Sequence, residues 1–217
     1  MRTIRVTGSG QIKIHPDMTR VTMTLEDVHE DYAETLRRSS WATEHLKDVL
    51  GGLGFQHSDL KTLKFDVDTE YESYKVGDEY KTRFVGYKFE HIMKVEFDSD
   101  NERLGKVLYA LAHCLVRPEF RIGYTVRDRE AVKNELLGKA IYDAREKASV
   151  LAKAAGVILK DIQSSDYSWG EFDIEVHPTH IMYDRKALPA SSDSYDIDIE
   201  PDDVEVSDTV TVIWEIA

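Results

Sequence analysis

The chain has a single cysteine in 217 residues, Cys114, so no disulfide can form within it. A reduced, cytoplasmic setting suits that composition. Cys114 stands beside Leu111 and Leu115 on a predicted helix. It reads as a small core residue, because a reactive thiol needs a cationic neighbour or a helix N-terminus. Long apolar runs are also missing, and none approaches the roughly 18 residues that a bilayer span requires. The opening Met1-Arg2-Thr3-Ile4-Arg5-Val6 runs straight into strand alternation, without the basic, apolar and small-residue sections of a secretory signal. Basic charge is scarce toward the end. Residues 166–217 hold 14 Asp and Glu against only Arg185 and Lys186, within a whole-chain net charge of −13. Such a region repels phosphate and anionic lipid, so neither nucleic acid nor a membrane surface is an expected partner. The run itself reads as a solvated acidic loop.

The signatures of common chemistries are missing too. Gly8-Ser9-Gly10 lies between two strand halves, not at a strand-to-helix turn, and so fails the context test for a dinucleotide site. No serine lies in a nucleophile-elbow pattern, and nothing marks two carboxylates as a buried pair. The eight histidines are scattered. His177 and His180 form the only close pair, with Asp173, Glu175 and Asp184 nearby, but Pro178 denies them a shared helix face. Asp196, Asp198, Glu200, Asp202 and Asp203 are acidic enough for calcium, yet lack the central glycine and terminal glutamate of an EF-hand loop. We therefore expect no catalytic residue, no cofactor and no strong metal site; His177, His180, Asp196 and Asp198 are the weak metal candidates.

What the chain does have is a repeat. Pro16-Asp17-Met18 recurs as Pro118-Glu119-Phe120 at an offset of 102 residues. Ala42, Leu46, Val49, Leu50, Leu53 and Gly54 recur without a gap as Ala144, Ala148, Leu151, Ala152, Ala155 and Gly156. Each copy reads as strand, helix, glycine stop, strand. The two helices, at 31–53 and 128–155, should occupy equivalent positions on one sheet layer, with Gly54 or Gly51 and Gly156 at positive φ.

Ile4, Val6, Ile12 and Ile14 alternate as a first strand, in which Gly8 and Gly10 suggest a kink or bulge. Val21, Met23 and Leu25 make the second strand. Asp31 and Glu34 have capping-box spacing for the first helix, and Ser99 and Glu102 have it for a second helix carrying Leu104, Val107, Leu108 and Leu111. Between those helices, Leu63 to Val67 and Val85 to Phe97 form a hairpin turning near Gly77-Asp78. Tyr71, Tyr74, Tyr80, Phe84 and Tyr87 cluster on it. Lys75, Lys81, Arg83 and Lys88 there are offset by Glu70, Glu72, Asp78 and Glu79, which disfavours a nucleobase platform. Strands follow at Phe120 to Val126, around Ile158 and Ile162, and from Val204 to Trp214. The long helix capped by Asp128 carries Ala140, Ala144, Ala148 and Ala152, small residues that permit close packing on a sheet. From about 170 to 200 no period is sustained, and loops of that length are usually functional, disordered or used in assembly. Tyr195, Ile197 and Ile199 alternate with Asp196 and Asp198 as a short exposed strand.

Three stretches resemble the SIMPL-domain family, a bacterial family with some animal relatives. They are Thr3 to Gly10 running on to Pro16-Asp17, the alanine-rich helix and its exit from Ala140 to Asp161, and Ile199-Glu200-Pro201-Asp202-Asp203-Val204-Glu205-Val206-Ser207 continuing to Trp214-Glu215-Ile216. Two departures, at Asp202-Asp203 and Thr19, touch a turn and a strand start. The resemblance implies an α+β fold over residues 1–217 as a single domain. Its two pseudo-repeated strand-helix-strand units, about 16–97 and 118–217, would have antiparallel hairpins and helices packed on the sheet. It also implies large homo-oligomers, and no agreed biochemical activity. A link to stress tolerance belongs to particular relatives and enters only as an expectation. The leading reading is a non-enzymatic, self-assembling binding or scaffold protein. Two others stay open, an enzyme with its site between halves or subunits, and a weak metal-binding protein using the acidic loop.

Overall fold

The computed structural model describes residues 2–167, 195 and 199–217. It is an α+β fold with strands β1 (Arg2–Ile14), β2 (Met18–His29), β3 (Lys61–Val76), β4 (Glu79–Asp98), β5 (Glu119–Thr125), β6 (Leu159–Asp166) and β7 (Val204–Ile216). The helices are α1 (Tyr32–Gly51), α2 (Asn101–Ala112) and α3 (Arg129–Ala155). The chain divides into two compact units, one holding β1, α3, β6 and β7, the other β2, α1, β3, β4, α2 and most of β5.

In the first unit β1, β7 and β6 form an antiparallel sheet in that order, with α3 packed on β1 and β7. The pairing of β1 with β7 runs unbroken from Arg2↔Ile216 to Ile14↔Val204, so the two glycines make no bulge. Their role is close approach. A Cβ on Gly8 would stand 2.1 Å from the Ala140 carbonyl oxygen, and one on Gly10 would stand 2.3 Å from that of Leu136. Ala140, Ala144 and Ala148 are fully buried against Val6, Val210, Val212 and Trp214. The helix thus lies backbone-close on the strand because both surfaces lack side-chain bulk at the crossing. Asp143 fastens the contact. It accepts from the Ser9 amide at 2.7 Å and pairs with Lys147 at 2.7 Å. The Lys147 hydrogen bond, with the Ser9 amide, holds the Asp143 carboxyl below its usual range.

In the second unit the sheet order is β3-β4-β2-β5. Val21, Met23 and Leu25 of β2 and Phe89, Met93, Val95 and Phe97 of β4 face Ala42, Leu46 and Leu50 of α1 and Leu104, Val107, Leu108 and Leu111 of α2. The Asp31 side chain caps α1 through the Glu34 amide. Asp100, not Ser99, caps α2 by accepting from the amides of Glu102 and Arg103, because its carboxylate offers lone pairs to both orphan donors. Cys114 is buried just beyond the end of α2, not within it. Tyr195 and Ile199 are partly buried against this core and form no strand. Tyr195 donates its amide to the Gly105 carbonyl at 3.3 Å, and a Cβ on Gly105 would stand 2.1 Å from the Tyr195 carbonyl oxygen. Ile197, between them, lies outside the described residues.

The two helix ends share a hydrogen-bond pattern. Phe55 donates its amide to Leu50 and Gly54 to Gly51; at the 102-residue offset Val157 donates to Ala152 and Gly156 to Lys153. Gly54 has φ of 85° and Gly156 φ of 68°, while Gly51 remains helical. The single sheet layer is not observed. The α1 helix lies on the four-stranded sheet and α3 on the three-stranded one, and β5, the sequence counterpart of β2, pairs with β2 in the four-stranded sheet and not in the sheet that carries α3. A gapless repeat dictates the local strand-helix-stop course, but not which sheet each strand joins.

Candidate functional site

The site is the flank of the second unit where the β3–β4 hairpin runs beside α1. β3 is an outer strand of 16 residues, joined to the 20 residues of β4 through Gly77-Asp78. Gly77 takes the left-handed conformation the tight connection needs. Register shifts interrupt the pairing between Thr62 and Lys64 and between Glu70 and Tyr71.

Of the predicted aromatic cluster, Tyr71, Phe84 and Tyr87 come together, and Tyr74 and Tyr80 do not join them. Tyr71 and Phe84 meet edge-on at 5.7 Å, Phe84 and Tyr87 at 5.4 Å, and Tyr87 meets Tyr32 of α1 at 5.2 Å. Tyr80 at the tip is 76 % exposed and Tyr71 58 %. The neighbouring charges neutralise one another. Arg83 pairs with Glu72 and stacks over Tyr74, and Lys88 pairs with Glu26 at 2.6 Å.

Further along the same flank, a shallow depression of about 460 Å³ is lined by Leu36, Ser39, Ser40, Thr43 and Glu44 of α1, Phe65 of β3 and His91 of β4. His91 is buried, with both ring nitrogens engaged. Thr43 spends its only hydroxyl proton on the Ser39 carbonyl at 2.8 Å, so Nδ1 of His91 donates to Thr43 at 3.0 Å. Nε2 of the neutral ring then accepts from the Thr62 hydroxyl at 2.9 Å. Phe65 meets the imidazole edge-on at 5.1 Å. Burial, with Lys47 nearby, pushes the His91 pKa down.

The hydroxyl–imidazole–hydroxyl chain has the connectivity of a nucleophile and its base, but not the electrostatics. The orienting group is neutral, so it cannot stabilise an imidazolium as a carboxylate would, and burial and Lys47 both oppose proton uptake. His91 is built to stay neutral and to tie α1 to the edge strand. Motif and spacing arguments miss it. Its signal is a polar residue at an inward position of the alternating run Phe89, His91, Met93, Val95.

Of the weak metal candidates, His177, His180, Asp196 and Asp198 all lie outside the described residues. Among the described residues no cluster of three or more His, Cys, Asp or Glu could hold a metal ion, and no helix is long and apolar enough to cross a membrane.

The SIMPL family, described as a protein of unknown function (DUF541), matches residues 4–214. No curated protein matches the chain. The match spans nearly all of the chain, including α1, α2 and α3 and the two sheets of the described residues, and the chain belongs to the SIMPL family.

Proposed function

We propose that this protein is a non-enzymatic, self-assembling scaffold or binding protein whose copies meet through the β3–β4 hairpin. The observation that carries this is the set of exposed rings on one face of the hairpin, Tyr71, Tyr80 and Phe84. Exposed apolar patches and open strand edges tend to be covered in native proteins. Arg83 pairs with Glu72, and Lys75, Lys81 and Lys88 are balanced in number by Glu70, Asp78 and Glu79, so the hairpin is close to neutral, a composition suited to a protein surface. The resemblance to a family of large homo-oligomers points the same way. A reducing, cytoplasmic setting fits the lone buried Cys114. A photo-crosslinking residue placed at position 80 tests the reading. Covalent dimers linked between hairpin residues are expected, and a chain that stays monomeric after irradiation contradicts it.

A further inference from the structure

The depression beside α1 offers acceptors and a negative charge against an apolar wall. Ser40 spends its hydroxyl proton on the Leu36 carbonyl at 3.0 Å, and Thr43 spends its own on Ser39. Ser40 is exposed, and its oxygen can still accept. Glu44 stays ionised, its pKa lowered by the hydrogen bond from Lys47 at 2.7 Å. Phe65, 44 % exposed, and Leu36 supply the apolar surface. A ligand that suits these groups carries a donor-rich cation on a short apolar body. We propose that this depression binds small organic amines of the arylalkylammonium class. The ammonium meets Glu44 and the Ser40 hydroxyl, and the ring lies on Phe65 and Leu36.

An anion fits poorly, because the nearby cation, Lys47, is itself held by Glu44. The same pair makes the proposal sharp, since Lys47 competes with an incoming ammonium for one carboxylate. The inference does not rest on self-assembly, because none of its residues lies at the hairpin tip.

Ligand-observed saturation-transfer NMR on the full chain tests it, with benzylammonium, benzyl alcohol and benzoate as probes. Benzylammonium should bind saturably with a Kd on the order of 1 mM, as expected for so few heavy atoms. Benzoate should not bind, and benzyl alcohol should bind more weakly. Glu44→Gln should weaken benzylammonium about fivefold, and Lys47→Met should tighten it by about the same factor, the scale of an exposed ion pair. Phe65→Ala should abolish binding. Equal binding of the three probes, or an affinity unchanged in both Glu44→Gln and Lys47→Met, would overturn the proposal. Light scattering on the same samples reads the assembly state separately, so a monomer that still binds benzylammonium sinks the assembly reading and leaves this one standing.

Discussion

Gly8 of β1 and Ala144 of α3 approach so closely that a Cβ built on Gly8 would stand 2.4 Å from the Ala144 amide nitrogen. The neighbouring obstacle is the Ala140 carbonyl oxygen, also backbone, so no side chain can swing away to make room. Gly8→Ala should therefore destabilise the protein by about 3 kcal/mol, at the upper end for overpacking. Gly138 is the internal control. It is an exposed residue of the same helix, and a methyl group there would meet nothing within 4 Å. Gly138→Ala should stabilise by about 0.5–1 kcal/mol through helix propensity alone. Urea melts of the two variants check the pair, and similar shifts in both would remove the close-approach account.

The order and type of the elements are legible because each carries a local signal. Alternation marks β2 and β4, four-residue spacing of small residues marks α3, and a glycine past the last apolar residue marks both helix ends. The alanine spacing even points to close packing on a sheet. What stays hidden depends on partners distant in sequence. Nothing local distinguishes a glycine that bends a strand from one that admits a helix, so Gly8 and Gly10 read as a bulge. Nothing local sends β5 to the sheet of β2 while α3 lies on another. His91 is hidden for the same reason, since its partners Thr43 and Thr62 are 48 and 29 residues away.

Gly156 tests the helix stops. With φ of 68° it occupies the left-handed C-cap of α3, where a Cβ is disfavoured although the space around it is open. Gly156→Ala should cost about 1 kcal/mol, and Gly54→Ala at the equivalent place after α1 about the same. Thermal melts showing no loss in either variant would contradict the assignment.

Glu96 sits beside the buried Arg20 of β2, its carboxylate 2.8 Å from the guanidinium Nε and 3.0 Å from Lys94. Burial raises the Glu96 pKa, but hydrogen bonds from Lys94 and Arg20 outweigh it and hold the carboxyl below its usual range. Glu96→Gln should destabilise by about 1 kcal/mol, because the substitution turns charge-assisted hydrogen bonds from Arg20 and Lys94 into weaker ones to a neutral acceptor. A chemical-denaturation midpoint within error of the wild type would show that the pair contributes little.

His91 gives a pH dependence whose sign follows from its lowered pKa. The unfolded chain takes up the proton near its ordinary pKa of about 6.5, while the folded ring resists until lower pH. The stabilisation from neutral His91 is present above about pH 6.5 and is lost as pH falls through the folded value. His91→Gln should flatten the part of the stability profile between about pH 7.5 and 5.5 that belongs to this group. Urea midpoints at the two pH values in both proteins provide the check, and identical differences would exclude His91 as the source.

The most direct measurement for the central claim is the solution mass by light scattering at moderate salt, for the wild type and for a Tyr71→Ser, Tyr80→Ser double variant. Both positions are exposed on the hairpin, so the variant should fold normally by circular dichroism. The account predicts a multimer for the wild type and a clearly smaller mass for the folded variant. A clean monomer for the wild type, or a variant that keeps the wild-type mass, would contradict it.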